Sequence, residues 1–80
     1  MNVERVRWVD SAWNSGWKGR EAAVADARVV YITSVGFVFS EDDRQLVLCM
    51  SYDAQLDDAQ KYDGFIAIPK VAIEKREVVG

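Results

Sequence analysis

The stretch from residue 28 to residue 52, RVVYITSVGFVFSEDDRQLVLCMSY, constrains the fold of this chain most. It contains two runs rich in Val, Ile, Phe, Tyr and Leu on either side of the acidic turn Glu41-Asp42-Asp43-Arg44. In the second run, alternate residues from Leu46 to Met50 share one face, and those from Val47 to Ser51 share the other. The pattern therefore predicts a long β-hairpin around the acidic turn.

Gly36 interrupts the first strand of this hairpin at its middle. A glycine inside a strand usually marks a sharp bend or a close backbone approach. We expect the strand to bend there, so that it can serve two sheets.

The remaining segments predict three more strands and one short helix. VERVRWV near the N-terminus suits a half-buried strand with Val6 and Trp8 on one face. The alanine-rich EAAVADA favours a short helix, and the polar residues 53–63 favour a loop or one helical turn. GFIAIPKVAIEKREVV predicts a short strand, a break at Pro69, and a last strand from Ile73 to Val79.

Length and composition favour one small globular domain spanning residues 1–80. The single cysteine, Cys49, lies in the apolar run LVLCM, which indicates a reducing compartment and no disulfide within the chain. No apolar stretch approaches the roughly 20 residues that span a bilayer, and the N-terminus lacks the pattern of a signal peptide. We therefore expect a cytoplasmic protein with no membrane partner.

The net charge of −3 is distributed unevenly. Residues 1–28 hold five cations against four anions, and the remainder holds five against nine. An acidic chain lacks the electrostatic footprint of a protein that binds duplex nucleic acid. Duplex binding is therefore disfavoured, and an anionic ligand would prefer the first third of the chain.

The order of the elements resembles small β-barrels of the Src-homology type. The ending IAIPKVAIEKREV also resembles the close of Sm-like barrels, where a short strand, a one-turn break and another strand finish the fold. These resemblances imply a mainly β fold: a five-stranded small barrel with one short helix in the first inter-strand connection.

A second resemblance rests on RWVDS, GW, SVGFVFSEDDRQLVLC and IAIPKVAI, which look like short proteins encoded by bacteriophages and prophages, most of them without an assigned activity. The matching positions are Trp8, Asp10, Ser11, Gly16, Trp17, Ser34, Val35, Gly36, Ile68, Pro69 and Lys70. This resemblance implies an infected or lysogenic bacterial cell as the setting, and it implies no particular chemistry.

Signatures of catalysis are missing from the sequence. There is no histidine, so the commonest general base and the commonest metal ligand are both absent. The acidic runs Glu41-Asp42-Asp43 and Asp57-Asp58 are adjacent residues that point apart, as solvated turn residues do. Cys49 suits an inert core position, and standard glycine-rich phosphate loops are absent. We expect no enzyme activity, no catalytic residues, no metal site and no cofactor.

Three tryptophans within ten residues raise the question of a binding site. Trp8 alternates with Val6 and is the best core candidate, whereas Trp13 and Trp17 lie in the irregular SAWNSGWKGR. Exposed indoles stack on nucleobases or on apolar side chains, and nearby cations can meet phosphates. The predicted ligand-binding residues are Trp13, Asn14, Ser15, Trp17, Lys18, Arg20, Ser34, Gly36 and Lys70. The structural alternatives are a cap on the open end of the barrel for Trp13 and Trp17, the strand bend for Gly36, and an exposed turn for Lys70.

Three hypotheses of function remain open on the sequence alone. The first is a non-catalytic phage protein, an oligomeric sponge that sequesters a small nucleotide-like defence signal. The second is a protein-interaction module that binds a host or phage protein through the same tryptophans. The third is an Sm-like RNA-binding protein, which the negative charge disfavours. Strand edges and surplus aromatic residues favour a homo-oligomer in each case.

Overall fold

The structure, a computed structural model, describes residues 2–80 and contains five antiparallel strands in one sheet. The elements are β1 (Val3–Asp10), α1 (Arg20–Asp26), β2 (Val30–Glu41), β3 (Gln45–Tyr52), β4 (Tyr62–Pro69), the 3₁₀ turn η1 (Lys70–Ala72) and β5 (Ile73–Val78). The order of strands across the sheet is β4-β3-β2-β1-β5, so β4 and β5 form its two edges. A mainly β fold with five strands and one helix in the first connection is therefore confirmed.

Strand β2 joins two halves of this sheet. Its first part, Val30–Phe37, pairs with β1, and its second part, Phe37–Glu41, pairs with β3. Phe37 alone, among the described residues of β2, has Cα partners on both sides, namely Val3 and Cys49. Strand β2 thus belongs to two three-stranded halves of a single sheet, where the sequence suggested two sheets.

Gly36 lies at this change of partners because a side chain would not fit there. A Cβ at this position would approach the carbonyl oxygen of Cys49 to 2.9 Å and the Cβ of Leu48 to 3.2 Å. Real Cβ atoms keep a larger separation from backbone oxygen, so the backbone of β2 can approach β3 this closely only at a glycine. Of the two features that a glycine inside a strand usually marks, the structure shows the close backbone approach at Gly36, and the expected bend stays a prediction.

The core lies between the two halves. Val6 and Trp8 of β1 pack in one cluster with Leu46 and Leu48 of β3 and with Ile68 of β4. The alternation predicted for β1 is confirmed, since Val6 and Trp8 are buried and Arg5 and Arg7 are exposed. Ala72 and Ile73 pack against the same cluster, so the short turn between β4 and β5 closes one side of the core.

Beyond the core, the strands continue as two-stranded ribbons. The end of β1 pairs with the start of β2 alone, and the end of β3 pairs with the start of β4 alone. Met50 therefore stands exposed although it continues the alternation of Leu46 and Leu48. The molecule measures 55 × 25 × 21 Å, and its radius of gyration of 16.7 Å exceeds the roughly 12 Å of a compact chain of this length.

Candidate functional site

The ten residues 11–20, SAWNSGWKGR, form the connection from β1 toward α1 and are called here the tryptophan segment. No residue of α1 is buried, so the helix is held by contacts with this segment and not by the core. The side-chain amide of Asn14 donates a hydrogen bond to the carbonyl oxygen of Asp26 over 3.1 Å. The ammonium of Lys18 forms an ion pair with the Asp26 carboxylate. These two contacts fold the segment back onto the helix.

Gly16 permits the turn within the tryptophan segment. Its φ of 113° lies in a region that favours glycine, and no atom stands within 4 Å of a Cβ built there. The constraint on Gly16 is therefore conformational, whereas the constraint on Gly36 is steric. This glycine lies between the two tryptophans, Trp13 and Trp17, in the sequence.

A cavity of about 220 Å³ opens between the segment and α1. The residues that line it are Ala12, Trp13, Asn14, Ser15, Gly16 and Lys18 from the segment, with Ala23, Asp26 and Ala27 from the helical side. Four of the predicted site residues therefore share one cavity. Its wall offers an indole, a hydroxyl, a carboxamide, an ammonium and a carboxylate, which together can hold a planar ring and its polar edge.

The tryptophans divide into one core residue and two exposed ones. Trp8 is 8% exposed, which confirms its assignment to the core. Trp13 is 85% exposed even though it lines the cavity, and Trp17 is 105% exposed and does not line it. An indole fully open to water forgoes the free energy of burial that tryptophan usually contributes, so both rings are free to stack on a bound group.

The charges of the site are mixed. Arg20 is exposed at the start of α1, whereas Lys18 forms an ion pair with Asp26. An anionic group that approached Lys18 would have to displace or tolerate the Asp26 carboxylate. Lys18, the one cation among the residues that line the cavity, is therefore already paired.

The other three predicted site residues lie elsewhere and have structural contacts. Ser34 on β2 accepts a hydrogen bond from Nε1 of Trp8 over 3.1 Å, and Gly36 occupies the crossing with β3. Lys70 in η1 forms an ion pair with Glu41. None of these three lines the cavity beside the tryptophan segment. Their predicted contact with a ligand remains a prediction, and each has a structural role that accounts for its identity.

Sequence reasoning missed an ionic cluster at the junction of β1, β2 and β5, made of Glu4, Glu41, Lys70 and Arg76. Arg76 donates hydrogen bonds of 2.8 and 3.0 Å to Glu4, and others of 2.7 and 3.1 Å to Glu41. Hydrogen bonds from Arg76 and Lys70 lower the pKa of Glu41 from 4.5 to about 2. Hydrogen bonds to Glu41 and Glu4 raise the pKa of Arg76. The cluster ties β5 to the far end of β2.

The acidic turn is only partly solvated. Glu41 belongs to the ionic cluster, and the Asp42 carboxylate accepts hydrogen bonds from the backbone N–H groups of Arg44 and Gln45 at 2.8 and 2.9 Å. These two bonds lower the pKa of Asp42. Asp42 therefore stabilises the turn as a side-chain acceptor, which is a usual role for aspartate at this place in a turn.

A second cavity, of about 200 Å³, lies on the outer face of β1, β2 and β5. It is lined by Arg5, Arg7, Thr33, Lys75 and Glu77. Arg5 pairs with Glu77 at 2.8 Å and Arg7 with Glu74 at 3.2 Å, and the Arg7 guanidinium lies 4.8 Å from the ring centre of Tyr31. The arginines are thus engaged within the chain, and no predicted site residue lies there.

Comparisons of the chain with family models, with curated proteins and with solved structures found no match. Within residues 2–80, no three side chains of metal-ligating type come together, and no helix is long and apolar enough to cross a bilayer.

Proposed function

We propose that this chain is a non-catalytic binding protein, and that its tryptophan segment holds a small, planar, nucleotide-like ligand. The observation that carries the proposal is the exposure of Trp13 and Trp17 beside a cavity with polar walls. Stacking of a base on an aromatic side chain contributes about 1–3 kcal/mol. Two free indoles separated by three residues are well suited to hold one flat ring or two linked ones.

The size of the cavity sets what part of a ligand it encloses. Pockets for whole small molecules have volumes of about 300–1,000 Å³, and this cavity measures about 220 Å³. A single ring system with its exocyclic groups fits that space, with the Asp26 carboxylate and the Asn14 and Ser15 side chains as hydrogen-bond partners. The phosphates would then lie outside the cavity, near Lys18 and Arg20.

Sequestration is the use that such a site favours. The chain has no histidine, and the site contains no activated nucleophile, so a bound ligand would be retained unchanged. The resemblance to phage and prophage proteins suggests that the ligand is a nucleotide signal of bacterial defence. In that setting, the protein would act as a sponge that lowers the concentration of free signal.

We also infer that the sheet corresponds to a small barrel of the Src-homology or Sm-like type. The element order, the one-turn η1 between β4 and β5, and a core shared by β1, β3 and β4 support this inference. In such a barrel the connection between the first two strands borders a binding groove. The tryptophan segment occupies this connection.

Binding of a host or phage protein is the second candidate function, and one observation favours it. Trp17 is fully exposed and does not line the cavity, so it can insert into a pocket of another protein. Tryptophan is enriched among the residues that dominate protein interfaces. A protein partner would depend on Trp17, whereas a ligand in the cavity would depend on Trp13 as well.

Titration calorimetry with cyclic and linear nucleotides, their nucleosides and inorganic phosphate tests the first function. We expect saturable binding of a nucleotide that weakens at least about fivefold in Trp13→Ala and in Trp17→Ala, as the loss of one stacking contact of about 1 kcal/mol or more requires. Val71→Ala is the matched control, because Val71 is 98% exposed and lies in η1. Mass spectrometry of the recovered ligand should show it unaltered.

Three outcomes would contradict the nucleotide site: no binding across the panel, equal binding by the tryptophan variants, or a chemically altered ligand. A protein captured in stoichiometric amount by the wild-type chain, and lost with Trp17→Ala, would favour the second function. Single-stranded RNA serves as a further probe, and a steep loss of its affinity with added salt would favour the RNA-binding hypothesis.

A further inference from the structure

Five aromatic side chains from β2, β3 and β4, two half-buried and three exposed, form a second surface, called here the aromatic face: Phe37, Phe39, Tyr52, Tyr62 and Phe65. Their rings contact one another across the strands. The ring centres of Phe39 lie 4.8 Å from Tyr62 and 5.4 Å from Phe65, and those of Phe37 and Tyr52 lie 5.5 Å apart. Tyr52 and Tyr62 also join, at 6.3 Å. The cluster is continuous over three strands and lies outside the core cluster.

The aromatic face remains open to water in the single chain. Phe39 is 40% exposed and Phe65 is 55% exposed, with Met50 exposed nearby on β3. The ammonium of Lys61 lies 5.7 and 5.8 Å from the ring centres of Tyr52 and Tyr62, at one border of the face. A contiguous apolar patch with a charged border is typical of a protein interface and not of an ordinary surface.

The two edges of the sheet differ in their protection against pairing. Edge strand β5 carries four consecutive charged residues, Glu74–Glu77, and charges on an edge oppose the addition of another strand. Edge strand β4 contains the uncharged run GFIAIP from Gly64 to Pro69, and its only described strand partner is β3. The unprotected edge is therefore β4, and it adjoins the aromatic face through Phe65.

The surface area of the chain indicates what covers this edge. The accessible surface is 6190 Å², whereas a compact monomer of this mass exposes about 4,900 Å². The excess of about 1,300 Å² belongs to the whole chain, including the exposed residues 11–22, and it is larger than the roughly 800 Å² that each partner buries in a standard interface. We expect a second copy of the chain to cover this area, because a second copy is available wherever the protein is made.

We propose that β4 is the pairing edge of a symmetric dimer, in which β4 of one copy lies antiparallel to β4 of the other and their aromatic faces join. Antiparallel pairing of a strand with its own copy is the two-fold arrangement, since each subunit presents the same surface. The uncharged run from Gly64 to Pro69 meets itself in this arrangement without like-charge repulsion. Pairing of β4 with β5 of another copy would instead place this run against four charges.

The test is the oligomeric state of the full chain, measured by light scattering after size exclusion over a range of micromolar concentrations. We expect the wild type to have about twice the mass of the 9.0 kDa chain. Ala67→Lys places a charge on the exposed middle of β4 in each copy, and it should weaken dimerisation about tenfold or more. Val78→Lys is the matched control on β5, and we expect it to remain a dimer.

Hydrogen exchange gives a second measurement that uses the wild type alone, so it does not depend on whether a variant folds. Amides of residues 64–68 in the wild type should become more protected as the protein concentration rises, whereas those of β5 should not change. A monomeric wild type would overturn the proposal, as would a dimer that Ala67→Lys leaves intact. An assembly lost with Val78→Lys would overturn it in favour of pairing between β4 and β5. Nucleotide binding by Trp13 and Trp17 is independent of each of these results.

Discussion

Nε1 of Trp8 donates a hydrogen bond to the side-chain hydroxyl of Ser34 over 3.1 Å, between the neighbouring strands β1 and β2. This bond gives the indole N–H, the one polar group of the Trp8 side chain, a hydrogen-bond partner inside the small core. It also separates the roles of the three tryptophans, since Trp8 stabilises the fold while Trp13 and Trp17 remain exposed.

Ser34→Ala should therefore destabilise the protein without weakening ligand binding. The substitution leaves the partly buried indole N–H of Trp8 without its partner, at a cost of about 1–2 kcal/mol. Urea denaturation measures this change, and Ser40→Ala, at an exposed position of the same strand, should cost less than about 0.5 kcal/mol. Loss of ligand affinity with unchanged stability would instead place Ser34 in the binding site, as the sequence predicted.

Gly36→Ala should destabilise the protein through a steric clash. The added methyl group would meet the carbonyl oxygen of Cys49 at 2.9 Å, and a backbone atom cannot rotate away as a flexible side chain can. We expect a cost of about 1–3 kcal/mol from overpacking. Gly19→Ala is the matched control, because no atom lies within 4 Å of its Cβ and its φ is −66°. Equal stability of the two variants would contradict the close crossing of β2 and β3.

Acid should weaken the fold through the ionic cluster. Arg76 and Lys70 lower the pKa of Glu41 from 4.5 to about 2, so the carboxylate form is favoured in the folded state. The resulting stability is present above pH 4.5 and is lost as the pH falls toward 2. Arg5 lowers the pKa of Glu77, which adds a loss of the same sign.

The measurement is the urea midpoint between pH 7 and pH 2.5. Wild-type stability should fall below pH 4.5, and Glu41→Gln should start lower at pH 7 and fall less steeply. Asp43→Asn is the control, because Asp43 lies in the same turn and has no ion pair among the described residues. Identical pH profiles for wild type and Glu41→Gln would contradict the role of Glu41.

Asp26→Asn should strengthen the binding of an anionic ligand. The substitution removes the carboxylate that pairs with Lys18 at the cavity, and a unit charge about 5 Å away in a water-like medium contributes about 0.8 kcal/mol, or roughly fourfold in affinity. Glu21→Gln, an exposed position of α1 outside the cavity, should change affinity less. The introduced side-chain amide keeps an acceptor oxygen for the hydrogen bond from the ligand, so weaker binding of the nucleotide by Asp26→Asn would contradict a net repulsion between this carboxylate and the ligand's phosphate.

Local patterns in the sequence predicted the strands well. Alternation identified β1 and placed Trp8 in the core, and Pro69 marked the end of β4, because these features depend on residues near one another in the chain. Contacts between residues far apart in the chain could not be predicted in this way. Glu41 and Arg76, which form an ion pair, are 35 residues apart, and no periodic pattern in the sequence predicts a contact over that separation.

The candidate site was predictable only in part for the same reason. Composition identified the tryptophan segment, but the contact of Lys18 and Asn14 with Asp26 depends on how an irregular connection folds. The residue types of Ser34, Gly36 and Lys70 are common in binding sites, but each has a structural role here. Ser34 accepts a hydrogen bond from Trp8, Gly36 permits the close approach of β2 to β3, and Lys70 pairs with Glu41. The aromatic face joins three strands whose order along the sheet the sequence did not specify.

The central claim is that Trp13 and Trp17 bind the ligand and Trp8 does not. Fluorine NMR of the protein labelled with fluorotryptophan tests it directly, with the three resonances assigned by single Trp→Phe substitutions. On titration with the nucleotide that binds, the resonances of Trp13 and Trp17 should shift and that of Trp8 should stay in place. A shift confined to Trp8, or saturable binding that moves none of the three, would contradict the account.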